Sequence, residues 1–258
     1  LMNVNAADVT VRRDESGNLL SFEIKGNMPL GVKAEGILNV VAGGNISVAG
    51  RKDAAGEHSA INVGTIDATQ NNTTGDVRLH SDKGIYNAND ADITNITGKN
   101  LILTGGTESI GTADKALTIS LSGDLTEARA NKNVFIKNGN HNDFLRLGAM
   151  FAGDTISLSS EKGFKMSTAS EDIAESYINA GKKLELTTNA TEGIVGEADN
   201  AIRLLNDRAT VNLAAQSAYI KGLGSLALGI QNGTLVLGNI ETAGEFTAVS
   251  EGSLTEIG

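Results

Sequence analysis

The sequence predicts an all-β protein, a right-handed parallel β-helix (a solenoid) of about 12 coils of roughly 21 residues each. Two observations carry this. The first is a recurring phrase: Thr107-Glu108-Ser109-Ile110-Gly111 returns as Thr191-Glu192-Gly193-Ile194-Val195-Gly196, and shortened as Thr255-Glu256-Ile257-Gly258. The steps of 84 and 64 residues lie close to four and three times 21. The second is a set of short runs in which apolar and polar residues alternate.

Strands come first. Leu117, Ile119 and Leu121 alternate with Thr118, Ser120 and Ser122; Ile156 and Leu158 alternate with Thr155, Ser157 and Ser159. Leu184 and Leu186 bracket Glu185, Val77 and Leu79 bracket Arg78, and Val9 and Val11 bracket Thr10. A period of two places one face against a core and the other toward water. The inward set expected from this includes Leu235 and Leu237. Helical periodicity is scarce: Asp172 to Asn179 and Asp199 to Asp207 are the best candidates, and neither carries an apolar stripe.

Corners come next. The runs end near Gly, Asn or Asp, as strand punctuation should. A coil of about 20 to 25 residues fits three short strands and three corners, with coils stacked about 4.8 Å apart and a rod roughly 55 to 60 Å long. Asn45, Asn100 and Asn133 each precede a strand; stacked Asn side chains can bond one another up the rod and satisfy backbone groups, the alternative being that Asn simply favours turns. Ile61-Asn62-Val63-Gly64, Leu145-Arg146-Leu147-Gly148 and Leu235-Val236-Leu237-Gly238 align at unequal steps of 84 and 90 residues, which implies coils of variable length.

The core should be narrow and aliphatic. Aromatic residues make up 3% of the chain and Trp is absent, whereas a rod of stacked Val, Ile, Leu and Ala needs few rings. The chain has no Cys, which excludes disulfides, thiol catalysis and Cys-ligated zinc. Its net charge of −10 opposes phosphate backbones, so nucleic acid is not an expected partner. No apolar run reaches 18 residues, so no membrane-spanning segment is expected.

The phrases Gly44-Asn45-Ile46-Ser47-Val48, Lys99-Asn100-Leu101-Ile102-Leu103-Thr104, Ile110-Gly111-Thr112-Ala113-Asp114-Lys115-Ala116-Leu117-Thr118-Ile119 and Leu237-Gly238-Asn239-Ile240-Glu241-Thr242-Ala243-Gly244 resemble large bacterial exoproteins of the filamentous-haemagglutinin type. These are exported by two-partner secretion, and the Ile-Gly-Thr-Ala-Asp phrase is closest to leukotoxin-like filamentous adhesins. The resemblance spans roughly residues 31 to 258. It implies a β-helical rod, secreted or displayed on the bacterial cell surface, with an outer-membrane secretion pore and a host-cell receptor or glycan as partners. The expected organisation is a single rod segment over 1–258 of a longer exoprotein. Residues 1–30 are less regular, and Asn27-Met28-Pro29-Leu30 breaks them from the rest of the chain. Exposed strand edges at the ends of such a segment favour end-to-end self-association.

The expected function is a structural and adhesive rod segment that mediates host-cell attachment. The alternatives are part of a secreted leukotoxin and, more remotely, a β-helical polysaccharide-degrading enzyme. No enzymatic activity or cofactor is expected, and no residue is singled out as catalytic, cofactor-binding or metal-ligating. His58 and His141 read as loop residues and His80 as the outward phase of a strand, without the spacing of a metal site. Asn87-Ala88-Asn89-Asp90-Ala91-Asp92 is rich in oxygen donors but lacks the Gly and terminal Glu of a calcium loop. Sequons occur at Asn45, Asn71, Asn72, Asn95, Asn189 and Asn232. Sugar-degrading β-helices use aromatic platforms, whereas several of the nine rings here fall on strand phases expected to point inward.

Overall fold

The computed structural model describes side chains over residues 36–204, apart from 53, 71, 73, 90–92, 169–176, 190–192, 198–199 and 201. Outside that span it describes backbone strands alone, from Val9–Arg13 to Leu254–Glu256. The chain is all-β, with parallel strands stacked as a β-solenoid of about six turns in the fully described region.

The alternation within each run determines how the strands stack. Ile156 and Leu158 are buried while Thr155, Ser157 and Ser159 stay partly exposed, and the same holds for Leu184 and Leu186 around Glu185. Leu117 and Ile119 are fully buried as well. Leu235 and Leu237 have side chains outside the described residues. Each inward residue stacks on its counterpart one turn away: Val134 pairs with Ile156, and Ile156 with Leu184. The core is one continuous aliphatic column from Leu38 to Leu204, with Phe164 its largest buried side chain. At about 25 cal/mol per Å² of buried apolar surface, this column supplies the main drive to fold.

The strands form two sheets rather than three faces. One runs from Leu19–Ile24 through Ile61–Asp67 and Thr155–Ser159 to Phe246–Ser250, and the other includes Met28–Val32, Val77–His80 and Leu145–Ala152. We call these the first and second sheets. Long strands bend instead of ending at a third corner. Ile61–Asp67 buries Val63 and Gly64 in succession, and Leu145–Ala152 buries Leu147 and Gly148. The aligned glycines mark this slip of phase. A Cβ on Gly148 would lie 2.1 Å from the Thr126 carbonyl oxygen, so only Gly lets the neighbouring coil approach. In other coils the bend opens into a loop. The first half of Ile61–Asp67 pairs with Ile85–Asn87 and its second half with Ile96–Gly98.

These loops make the coils unequal. Lateral partners are 17 residues apart at Val211 and Leu228 but 31 apart at Ile46 and Val77. The first pairing, Val9–Arg13 with Leu19–Ile24, is antiparallel. Pro29 is part of a strand of the second sheet. It sits within Met28–Val32, at the edge of the second sheet, where a missing N–H is tolerated. Of the two weak helix candidates, Asn179 belongs to the strand Ile178–Ala180 and Ile202–Leu204 is also a strand; residues 172–176 lie outside the described set.

Candidate functional site

Two of the rod's corners are fastened by side chains. Leaving the first sheet, Asn45, Asp76, Asn100 and Asp124 stack on successive turns. Asp76 N–H donates to Asn45 Oδ1 at 2.8 Å, Asn100 Nδ2 donates to Asp76 Oδ1 at 2.9 Å, and Asp124 N–H donates to Asn100 Oδ1 at 3.0 Å. The stack thus alternates Asn with Asp: the side-chain bond of Asn100 goes to a carboxylate rather than to another Asn, and Asn133 stands at the other corner. Leaving the second sheet, Asn133 N–H donates to Ser109 Oγ at 3.2 Å, and Asn133 Oδ1 accepts from Thr155 N–H at 3.2 Å.

Beside that second corner runs a charge ladder. Lys132 Nζ lies 2.6 Å from Glu108 Oε2, and Lys182 Nζ lies 2.5 Å from Asp154 Oδ1. The backbone N–H of Asp154 joins the two pairs by donating to the Lys132 carbonyl at 2.8 Å. A hydrogen bond from Lys132 to Glu108, together with the charge of Glu108, holds the lysine ammonium above its ordinary value.

Beyond these corners, the second sheet's outward face carries a shallow groove of about 450 Å³, lined by Ser47, Asp76, Arg78, Asn100, Ile102 and Thr126 among others. Ser47, Arg78 and Ile102 are lateral neighbours on three successive turns. The groove thus offers a guanidinium, a carboxylate, amide and hydroxyl groups and the aliphatic residues Ile46, Val77 and Ile102, a set suited to a polar chain with small apolar patches.

At the other end of the Val77–His80 strand, His58, His80 and Asp82 come together, with one ligand atom from each within 4.8 Å of the others. No short metal-ligand spacing marks this cluster in the sequence. His58 reaches it because residues 51–60 double back, with Lys52 bridging antiparallel to His58. His58 and His80 are 22 residues apart, close to one turn, and that separation was the available signal. His58 N–H donates to Asp82 Oδ2 at 2.6 Å, and Asp82 N–H donates back to the His58 carbonyl at 3.0 Å. His141 lies elsewhere, its Nδ1 2.9 Å from Glu161 Oε1.

Asn87 of the calcium-like stretch and Asn45 and Asn95 of the sequons make bonds within the rod. Asn87 Oδ1 accepts from Asn89 N–H and Asn95 Nδ2, so this oxygen serves internal bonds; residues 90–92 lie outside the described set. Asn95 is fully buried and donates to the Val63 and Gly64 carbonyls, which removes its sequon from solvent. Asn189 and Asn72 are exposed, while Asn232 and the side chain of Asn71 lie outside the described residues. The aromatic rings correct the expectation. Among the described residues Phe164 alone is buried; Phe135 and Tyr86 are half-buried and Phe151 is 36% exposed. Phe144 lies under Lys165, whose Nζ is 4.1 Å from the ring centroid.

No family model, curated protein or solved structure matches this chain. The architecture and these surface features are therefore the basis for a functional reading.

Proposed function

We propose that this chain is a structural and adhesive rod segment of a bacterial exoprotein that is secreted or held at the cell surface, and that it mediates attachment to host cells. The observation that carries the reading is the unbroken lateral stacking of rungs, from Ile37–Ala42 to Ile202–Leu204, reinforced at two corners by side-chain ladders. Each turn contacts chiefly its neighbours, so adding turns adds length rather than enclosing a site. Such a body extends whatever it carries away from a surface. Resemblance to filamentous-haemagglutinin-type exoproteins supports the same reading, with an outer-membrane secretion pore as export partner and a host receptor or glycan as target. The groove at Arg78 and Ile102 is the surface to which this reading assigns attachment.

The test applies the purified chain to cultured host cells and a glycan panel, with a lysis assay beside it. Adherence without lysis, reduced by Arg78→Glu, supports the adhesive rod. Lysis of leukocytes would favour the leukotoxin reading instead, and turnover of a polysaccharide would overturn both.

A further inference from the structure

We infer that His58, His80 and Asp82 form a site for one divalent transition-metal ion of the zinc class. The three residues come from two elements on adjoining turns: the 51–60 excursion supplies His58, and the end of Val77–His80 with its following corner supplies His80 and Asp82.

The donor set is already arranged for ligation. His80 Nε2 lies 3.7 Å from Asp82 Oδ1. The two imidazole rings stand edge to face at 80°, with centroids 4.7 Å apart. The Gly50 carbonyl can only accept, so its hydrogen bond to His58 Nδ1 places the proton there and leaves the Nε2 lone pair available. A backbone carbonyl that fixes the tautomer in this way is the usual support of a metal-bound histidine. Asp82 is fastened as well. Its Oδ2 is held by His58 N–H, and its carbonyl accepts from Thr107 N–H at 2.9 Å and Thr107 Oγ1 at 2.8 Å. That leaves Oδ1 as the oxygen turned toward His80.

Chemistry selects the ion. Two imidazoles with one carboxylate suit Zn²⁺, Ni²⁺ or Cu²⁺ far better than Mg²⁺ or Ca²⁺, which prefer oxygen alone. Donors about 2.0–2.1 Å from a tetrahedral zinc are roughly 3.4 Å apart. Closing from 4.8 Å therefore needs only modest side-chain rotation at the rod surface. The side chains of His80 and Asp82 are 40% and 33% exposed, so the remaining coordination position faces water. The ion would staple the 51–60 excursion to the next turn.

The test uses the full chain, stripped with a chelator and titrated with Co²⁺ by visible absorption and with Zn²⁺ by calorimetry and thermal melting. One equivalent should bind, with a ligand-field band of nitrogen–oxygen coordination and a higher Tm in saturating Zn²⁺. His58→Ala, His80→Gln and Asp82→Asn should each weaken binding by at least about tenfold. Asp82→Asn keeps an acceptor for His58 N–H, and circular dichroism checks that each variant retains its β fold. His141→Ala should leave affinity and Tm shift unchanged. Absence of stoichiometric binding would overturn the inference, as would binding that survives combined loss of His58 and His80 or fails equally in His141→Ala.

Discussion

Asn100 links three turns: it donates to the Asp76 carboxylate below through its side-chain amide and accepts from Asp124 N–H above. The ladder alternates amide and carboxylate from Asn45 to Asp124, so no two carboxylates meet. Asn100→Ala removes both contacts and should destabilise by about 1–2 kcal/mol. Asn100→Asp keeps the acceptor for Asp124 N–H but sets a second carboxylate against Asp76. Its loss should therefore be greater at neutral pH than in mild acid, where one carboxyl protonates. Urea melts of both variants at two pH values check the pattern; a pH-independent loss in Asn100→Asp would contradict it.

The corner leaving the second sheet depends on small residues. A Cβ on Gly181 would lie 2.0 Å from the Gly153 carbonyl oxygen, and one on Gly153 equally close to the Asn131 carbonyl. These are backbone atoms, which cannot turn aside as a side-chain tip can. Gly181→Ala should cost at least about 1–3 kcal/mol, as overpacking does. Gly36→Ala meets nothing within 4 Å and should melt like the parent. Similar denaturation midpoints for both variants would show that the stack yields easily.

One carboxylate adds acid sensitivity. Burial pushes the Asp67 carboxyl up, but hydrogen bonds from the Thr69 hydroxyl and N–H and from the Gln70 amide outweigh it and hold the pKa below its ordinary value. A depressed folded pKa means that Asp67 stabilises the fold above its unfolded value of about 3.9, and that this contribution fades as pH falls through the folded value. Asp67→Asn should lower stability at neutral pH and flatten its decline in acid. Parallel melts from neutral pH downward measure the gap between the two proteins, which should narrow.

Much of the fold was legible because strand phase is a local property. Leu184 and Leu186 needed only Glu185 between them to reveal an inward face. Coil length was less legible because the echo does not return to the same side. Ile110 lies in the first sheet, bridging Ile85 and Val134, whereas Ile194 lies in the second, paired directly with Gly163 on one side and Ser217 on the other. Its 84 residues cover three and a half turns of roughly 24 residues rather than four of 21. What repeats is a local device, an apolar residue and a turn-rich loop before the next apolar residue, and either sheet accommodates it. The His58–His80–Asp82 cluster was hidden for a related reason: its contact depends on how far residues 51–60 double back, which composition does not encode.

Strand phase gives the most direct test, with one exception to simple alternation. Ile119 is fully buried, and Ile119→Asp would place an unpaired carboxylate between turns, costing on the order of 4 kcal/mol or more. Ser120 faces outward and is half-exposed, so Ser120→Asp should change stability by less than about 0.5 kcal/mol. Alternation alone would grant Thr118 the same tolerance. Thr118 is nevertheless only 5% exposed, because the next turn passes close over it: a Cβ on Gly139 would lie 3.1 Å from its methyl group. Its N–H also donates to Asn95 Oδ1 at 2.9 Å, beside a carbonyl that accepts from Asn95 N–H at 2.8 Å. Thr118→Asp would bring a charge into this covered layer and should destabilise nearly as much as Ile119→Asp, while Thr118→Val, which keeps the shape, should be mild. Urea midpoints falling in the order Ser120→Asp, Thr118→Asp, Ile119→Asp support this burial of both faces. A Thr118→Asp protein as stable as Ser120→Asp would show that the Gly139 segment moves away at little cost.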